Sequence, residues 1–184
     1  MSAFARRLAA TIPILAVLGG GLWWWTRADA PAGPVGGDFT LIDQDSATFE
    51  LTSLRGKVVL VFFGYSQCPD VCPTTLAVLA QVRQVSKAAN LASYLVTVDP
   101  ERDTPERLKE YTAYFHPEML GVTGSAEEIA AVAKAFGAGY IRQPARPDGS
   151  YAVDHTTRTY AVAPDGKLAV ALELNAPAEK YLET

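Results

Sequence analysis

The chain has 184 residues, 49% hydrophobic and 20% charged, a composition that suits one folded domain with a modest appendage and excludes a disordered chain. The formal net charge is -4, and the first 27 residues carry three arginines and no acid, so the remainder is more acidic still; without a basic stripe it is a poor candidate for binding nucleic acid. Only two cysteines are present, which excludes four-cysteine zinc and iron–sulfur sites unless subunits share ligands.

The first element is apolar. Leu8 to Trp25 reads LAATIPILAVLGGGLWWW, with Arg6 and Arg7 before it and Arg27 after it. At about 1.5 Å per residue such a run is near the lower limit for a bilayer span. The Trp23–Trp25 cluster fits an interfacial belt, and the paired arginines favour a cytoplasmic N-terminus with the bulk of the chain outside. The expectation is a cytoplasmic tip and transmembrane anchor over residues 1–27. A cleaved signal peptide is the alternative, with Ala28-Asp29-Ala30 as a small-x-small site, but Pro31 would be an awkward first mature residue. Either way the domain leaves the cytoplasm and its cysteines meet an oxidising environment. The very short tail suits a bacterial inner membrane, with the domain on the periplasmic side.

Residues 28–37, ADAPAGPVGG, read as a flexible linker, and residues 38–184 as the folded domain. Two short strands are expected at Asp38–Asp43 and Ala47–Leu51, forming an N-terminal β-hairpin around Gln44-Asp45-Ser46. Lys57–Phe63, KVVLVFF, is a continuous β-branched and aromatic run that predicts a central strand buried on both faces. Leu76, Leu79, Val82 and Val85 predict a helix over 73–89, with Pro73 in its first turn. A strand at 91–98, a helix at 105–115, a strand at 120–123 and a helix at 125–136, capped by Ser125 with Glu128, continue the alternation. Arg158–Ala163 and Lys167–Leu174 form a hairpin around Pro164-Asp165-Gly166, and a last helix begins at Ala178–Leu182. An α/β order ending in hairpin and helix predicts a thioredoxin-like fold, a central mixed sheet flanked by helices. A flavodoxin-like sheet is the runner-up, disfavoured by the terminal antiparallel hairpin.

Both cysteines, Cys68 and Cys72, lie in GYSQCPDVCPTTL, between the central strand and the next helix. A helix N-terminus stabilises a thiolate, so Cys72 is expected to be more acidic than a free thiol, and Cys68 also if it faces the same turn. Three intervening residues allow a disulfide or joint ligation of one metal ion, and two thiolates favour soft metals such as Cu(I) or Zn. A purely structural disulfide would close so small a loop that its entropic gain is slight. A third ligand is most simply a histidine. His116, in YFHPEM at a helix end, reads better as a cap or surface residue, and Met119 as core packing. His155, in VDHTTRTYAV, is better placed, because in a thioredoxin-like topology the loop before that strand lies against the cysteine turn.

CPDVCP after Gly-Tyr, VTVDPERDTPERLKEY at 96–111, and DHT before a strand ending in APDG together resemble the Sco/SenC family, over roughly Val35 to Leu174. These are membrane-anchored copper-binding proteins of thioredoxin-like fold that assist cytochrome c oxidase assembly. The resemblance implies that Cys68, Cys72 and His155 bind one copper ion, as Cu(I) or Cu(II). It also implies that copper, or the reducing equivalents needed to receive it, pass to the copper-receiving subunit of the oxidase. A copper-donor protein and a thiol reductant are further implied partners. Asp70, Asp99 and Asp103 match family acidic positions and read as electrostatic or partner-contacting residues; for Asp99 and Asp103, capping and turn formation before Pro105 is an equal reading. Ser66-Gln67 departs from the Thr-His of many relatives and removes one candidate donor. A thiol-disulfide oxidoreductase using Cys68 and Cys72 is the competing function. Against it stand the C-x3-C spacing and Thr157-Arg158-Thr159 where general oxidoreductases carry a proline. A peroxide-consuming enzyme lacks its third cysteine. No reaction on a small-molecule substrate is implied.

Overall fold

The computed structural model describes residues 36–86, 90–174 and 176–181. The expected anchor and most of the expected linker lie outside them; among the described residues no helix is long and apolar enough to cross a membrane. Gly36, at the end of the linker segment, is buried, and its N–H bonds the Ala135 carbonyl.

Among the described residues there are nine strands and three α-helices. The central strand is β3 (Val58–Gly64), from the KVVLVFF run; Leu60 to Phe63 are fully buried. It lies parallel to β4 (Leu91–Thr97), which lies parallel to β5 (Met119–Thr123). The hairpin β1 (Thr40–Asp43) and β2 (Thr48–Glu50) adds antiparallel to β5. On the other side β8 (Thr159–Val162) runs antiparallel to β3, and β9 (Leu168–Leu172) antiparallel to β8, giving the order β2-β1-β5-β4-β3-β8-β9. An antiparallel strand beside the central one rules out the flavodoxin-like alternative.

Helices α1 (Val71–Ser86) and α2 (Pro105–Phe115) are the crossovers β3-α1-β4 and β4-α2-β5. Two right-handed crossovers stepping the same way put both helices on one face. Side chains agree: Phe62, Leu95 and Gly121 are in register, and a Cβ on Gly121 would lie 2.5 Å from Leu108 Cβ of α2. Helix α3 (Ala126–Phe136) covers the opposite face, where Phe136 meets Phe63 and Tyr160 at 5.7 Å between ring centroids. Its capping box, Ser125 with Glu128, and its left-handed Gly137 terminus are both formed.

Two departures matter. The chain between α3 and β8 forms a separate two-stranded ribbon, β6 (Tyr140–Arg142) against β7 (Val153–His155), which shares no ladder with the main sheet. The expected last helix is a single 3-10 turn, Ala178–Tyr181, anchored by the buried Tyr181.

Candidate metal centre

Strand β3 ends at Gly64, a glycine because the chain passes close to one sulfur: a Cβ there would lie 2.8 Å from Cys72 Sγ and from a carbon of the Phe62 ring. The turn then folds back, with Cys68 N–H donating to the Tyr65 carbonyl at 3.2 Å. Helix α1 starts two residues earlier than expected, its first turn closed by Thr74 N–H on the Asp70 carbonyl at 3.2 Å. Pro73 fits within that turn because its missing N–H had no intrahelical partner to lose. Cys72 is therefore the second helical residue, fully buried, while Cys68 is half-buried outside the helix.

The third residue arrives from the ribbon. His155 Nε2 lies 3.4 Å from Cys72 Sγ and 3.9 Å from Cys68 Sγ, and the three potential ligand atoms all lie within 4.8 Å of one another. Its Nδ1 is 3.0 Å from the Thr156 carbonyl, an acceptor only, so Nδ1 carries the proton and donates it there. In the neutral ring this leaves Nε2 with a lone pair facing the sulfurs, the tautomer a metal requires. The rings of Phe62 and Tyr65 meet the imidazole edge-on at 5.9 and 5.7 Å, and Tyr65 Oη accepts the Val153 N–H at 3.2 Å. The group can hold one metal ion, and among the described residues it is the one cluster of this kind. An open cleft of about 430 Å³, lined by Gly139, Tyr140, Ile141, Asp154, His155 and Thr156, gives access beside the imidazole.

The acidity of the two thiols departs from the sequence expectation for Cys72 and meets it for Cys68, which faces the helix N-terminus. Cys68, not Cys72, is the acidic one, held at about 3 by its hydrogen bond with Cys72, by His155, and by the backbone amides of Asp70 and Cys72. The Cys72 N–H points at Cys68 Sγ from 3.4 Å, so the helix N-terminus serves the preceding cysteine rather than its own. Cys72 is pushed up by hydrogen bonding to the Cys68 thiolate and then by burial, so it keeps the proton. Burial pulls His155 down, but hydrogen bonding to Cys68 and to the Thr156 carbonyl, with the thiolate charge, leaves its pKa raised overall.

The acidic positions divide. Asp70 is exposed and contributes its carbonyl to the helix start. Asp99 and Asp103 are 4% and 0% exposed, which corrects the partner-contacting reading. Asp103 accepts from Ser66 N–H at 3.0 Å, Ser66 Oγ at 2.6 Å and Thr97 Oγ1 at 2.7 Å; it does not cap α2, a task that falls to Thr104. Asp99 pairs with Arg102 and accepts from Tyr151 Oη at 2.8 Å. Gln67, at the position of the histidine in many relatives' Thr-His, accepts from Arg102 Nη1 at 3.1 Å. His116 caps α2 and accepts the Glu118 N–H at Nδ1, and Met119 is fully buried core, as the sequence indicated. Arg102 and Tyr151 had no sequence signal as site residues, since an arginine among acids and a loop tyrosine read as surface.

Sheet order, crossovers and a cysteine turn facing a histidine define a thioredoxin-like domain with a Cys-Cys-His centre suited to soft-metal or thiol chemistry. The SCO1/SenC family model matches residues 27–184, and the chain belongs to that family. It is 35% identical over 152 residues to the "SCO2-like protein" of Rickettsia felis, covering 81% of this chain and 74% of that one. It is 39% identical over 164 residues to "Protein SCO2 homolog, mitochondrial" of Bos taurus, covering 80% of this chain and 62% of that one. Among solved structures it resembles Bradyrhizobium japonicum ScoI with copper bound, with a TM-score of 0.74, 36% identity, and 81% and 96% of the two chains covered. Yeast Sco1 with copper bound gives a TM-score of 0.73 and 34% identity, with 81% and 84% covered.

Proposed function

We propose that the chain is a membrane-anchored, extracytoplasmic copper metallochaperone. It binds one copper ion through Cys68, Cys72 and His155 and assists assembly of the binuclear copper centre of cytochrome c oxidase. The observation that carries this is the convergence of two sulfurs and a lone-pair nitrogen within 4.8 Å, in a chain whose relatives include Sco proteins solved with copper. Two thiolates supply soft ligation and the imidazole extends the set to Cu(II). Residues 1–27 would be the anchor, 28–37 the linker and 38–184 the copper-binding domain, on the periplasmic side of a bacterial inner membrane. The copper-receiving oxidase subunit, a copper-donor protein and a thiol reductant are the partners.

The test is an anaerobic Cu(I) competition titration of the reduced full chain beside its His155→Ala and His116→Ala variants. One copper per chain, weakened only by loss of His155, is expected. Cys72 retains its proton until ligation displaces it, so apparent affinity rises with pH. No tight copper, or equal binding in all three proteins, overturns the reading.

The unequal thiols favour one alternative, reduction of a partner's disulfide. The half-exposed Cys68 thiolate would attack one partner sulfur, forming a mixed disulfide and releasing a partner thiolate. Cys72, giving up its proton, would then attack Cys68 Sγ, releasing the second partner thiolate and leaving a Cys68–Cys72 disulfide. Rapid turnover of disulfide substrates by copper-free protein would replace the first reading with this one.

A further inference from the structure

The ribbon that carries His155 has no backbone ladder to hold it to the main sheet. A two-stranded ribbon alone is marginal in water, and β6–β7 makes no ladder with the main sheet. Its position comes from side chains, and most converge on residues 97–103. The Arg102 guanidinium donates to the Tyr151 carbonyl at 3.0 Å and stacks over the Tyr151 ring, 3.6 Å from its centroid. Arg142 of β6 lies over the same ring at 3.8 Å; two guanidinium groups that close must take opposite faces. Each cation has its own carboxylate, Asp99 for Arg102 and Glu101 for Arg142 at 2.6 Å, and the Tyr151 hydroxyl donates to Asp99. The same Arg102 reaches the cysteine turn through Gln67, and Asp103 next to it holds Ser66. One segment thus grips both halves of the site, the turn bearing two sulfurs and the strand bearing the imidazole.

On the copper-binding reading above, we infer that Arg102 and Tyr151 are positioning residues for the third ligand: their stacked, hydrogen-bonded clasp sets His155 Nε2 against the two sulfurs. Lysine in place of Arg102 keeps the charge but loses the planar fork that serves Asp99, Gln67 and the Tyr151 carbonyl together. Tyr151→Phe keeps the ring and removes only the hydroxyl on Asp99.

The experiment is a double-mutant cycle on the reduced full chain: Arg102→Lys and Tyr151→Phe, each alone and combined with His155→Ala, titrated with Cu(I) against a chromophoric competitor. Arg102→Lys weakens binding about tenfold while His155 is present and much less once His155 is gone, because outer partners act mainly through the ligand they orient. Tyr151→Phe does the same more weakly. A metal-free readout accompanies it: exchange of the Val153 and Thr156 amides, bonded to Tyr65 Oη and the Gly139 carbonyl, speeds up in Arg102→Lys while amides of β3 do not change. Equal weakening with and without His155, or no weakening at all, overturns the inference and leaves the ligand set standing. Equal affinity of the unmodified and His155→Ala proteins overturns the ligand set, and the inference with it.

Discussion

The two sulfurs differ because the backbone treats them differently. Cys72 is inside the first turn of α1 and sealed from solvent, whereas Cys68 sits before the helix and collects the amides of Asp70 and Cys72. With its pKa held at about 3, Cys68 is already thiolate throughout the range where an ordinary cysteine is mostly thiol. Alkylation of the reduced protein by iodoacetamide should therefore occur at Cys68 alone, at a rate that is flat from about pH 5 to 8, since a free thiol would gain about tenfold per pH unit over most of that range. Peptide mapping reads the site and quenched time courses read the rate; a tenfold rise per unit would show that Cys68 is not acidic. The residues of this centre were legible because cysteine and histidine are scarce in the chain. The division of labour between the thiols was not, because it depends on which sulfur the helix amides face, and the start of α1 lies two residues before the position that Pro73 marks.

At the scale of elements, the turn after β3 is held by a buried carboxylate. Asp103 satisfies three donors from Ser66 and Thr97, and nothing in DPERD distinguishes that role from an exposed acid. Acidic side chains are seldom buried, and the partner Ser66 lies 37 residues away in sequence. Replacing Asp103 by Asn turns an amide NH2 toward those donors and should destabilise the fold by about 2 kcal/mol, read as a lowered urea midpoint. A loss under about 0.5 kcal/mol would mean that the network carries no stability. The main-sheet strands were legible where apolar runs are long, as in KVVLVFF. The ribbon was not: β6 and β7 are three residues each, with Ile141 exposed and charged or polar neighbours, so no period-2 pattern can form.

For the described domain as a whole, the structure pairs a rigid slab with a loosely attached ribbon. Strands β3 and β4 are ladder-bonded on both sides and packed between α1, α2 and α3, while β6 and β7 have ladder bonds only to each other. Hydrogen exchange of the metal-free protein should open the ribbon amides about a hundredfold faster than those of β3 and β4. Loading the site with Cu(I) should slow the ribbon and leave the slab unchanged. Uniform exchange across both regions would contradict this division.

The separation along the chain adds a temporal consequence. His155 is 83 and 87 residues from the two cysteines it faces, and β8, which closes the sheet beside β3, comes later still. A nascent or unfolded chain therefore offers two adjacent thiols without their imidazole, and closing so long a loop is slow. The sulfurs gain their third neighbour last, so the order of events during folding runs from a bare dithiol to a complete centre.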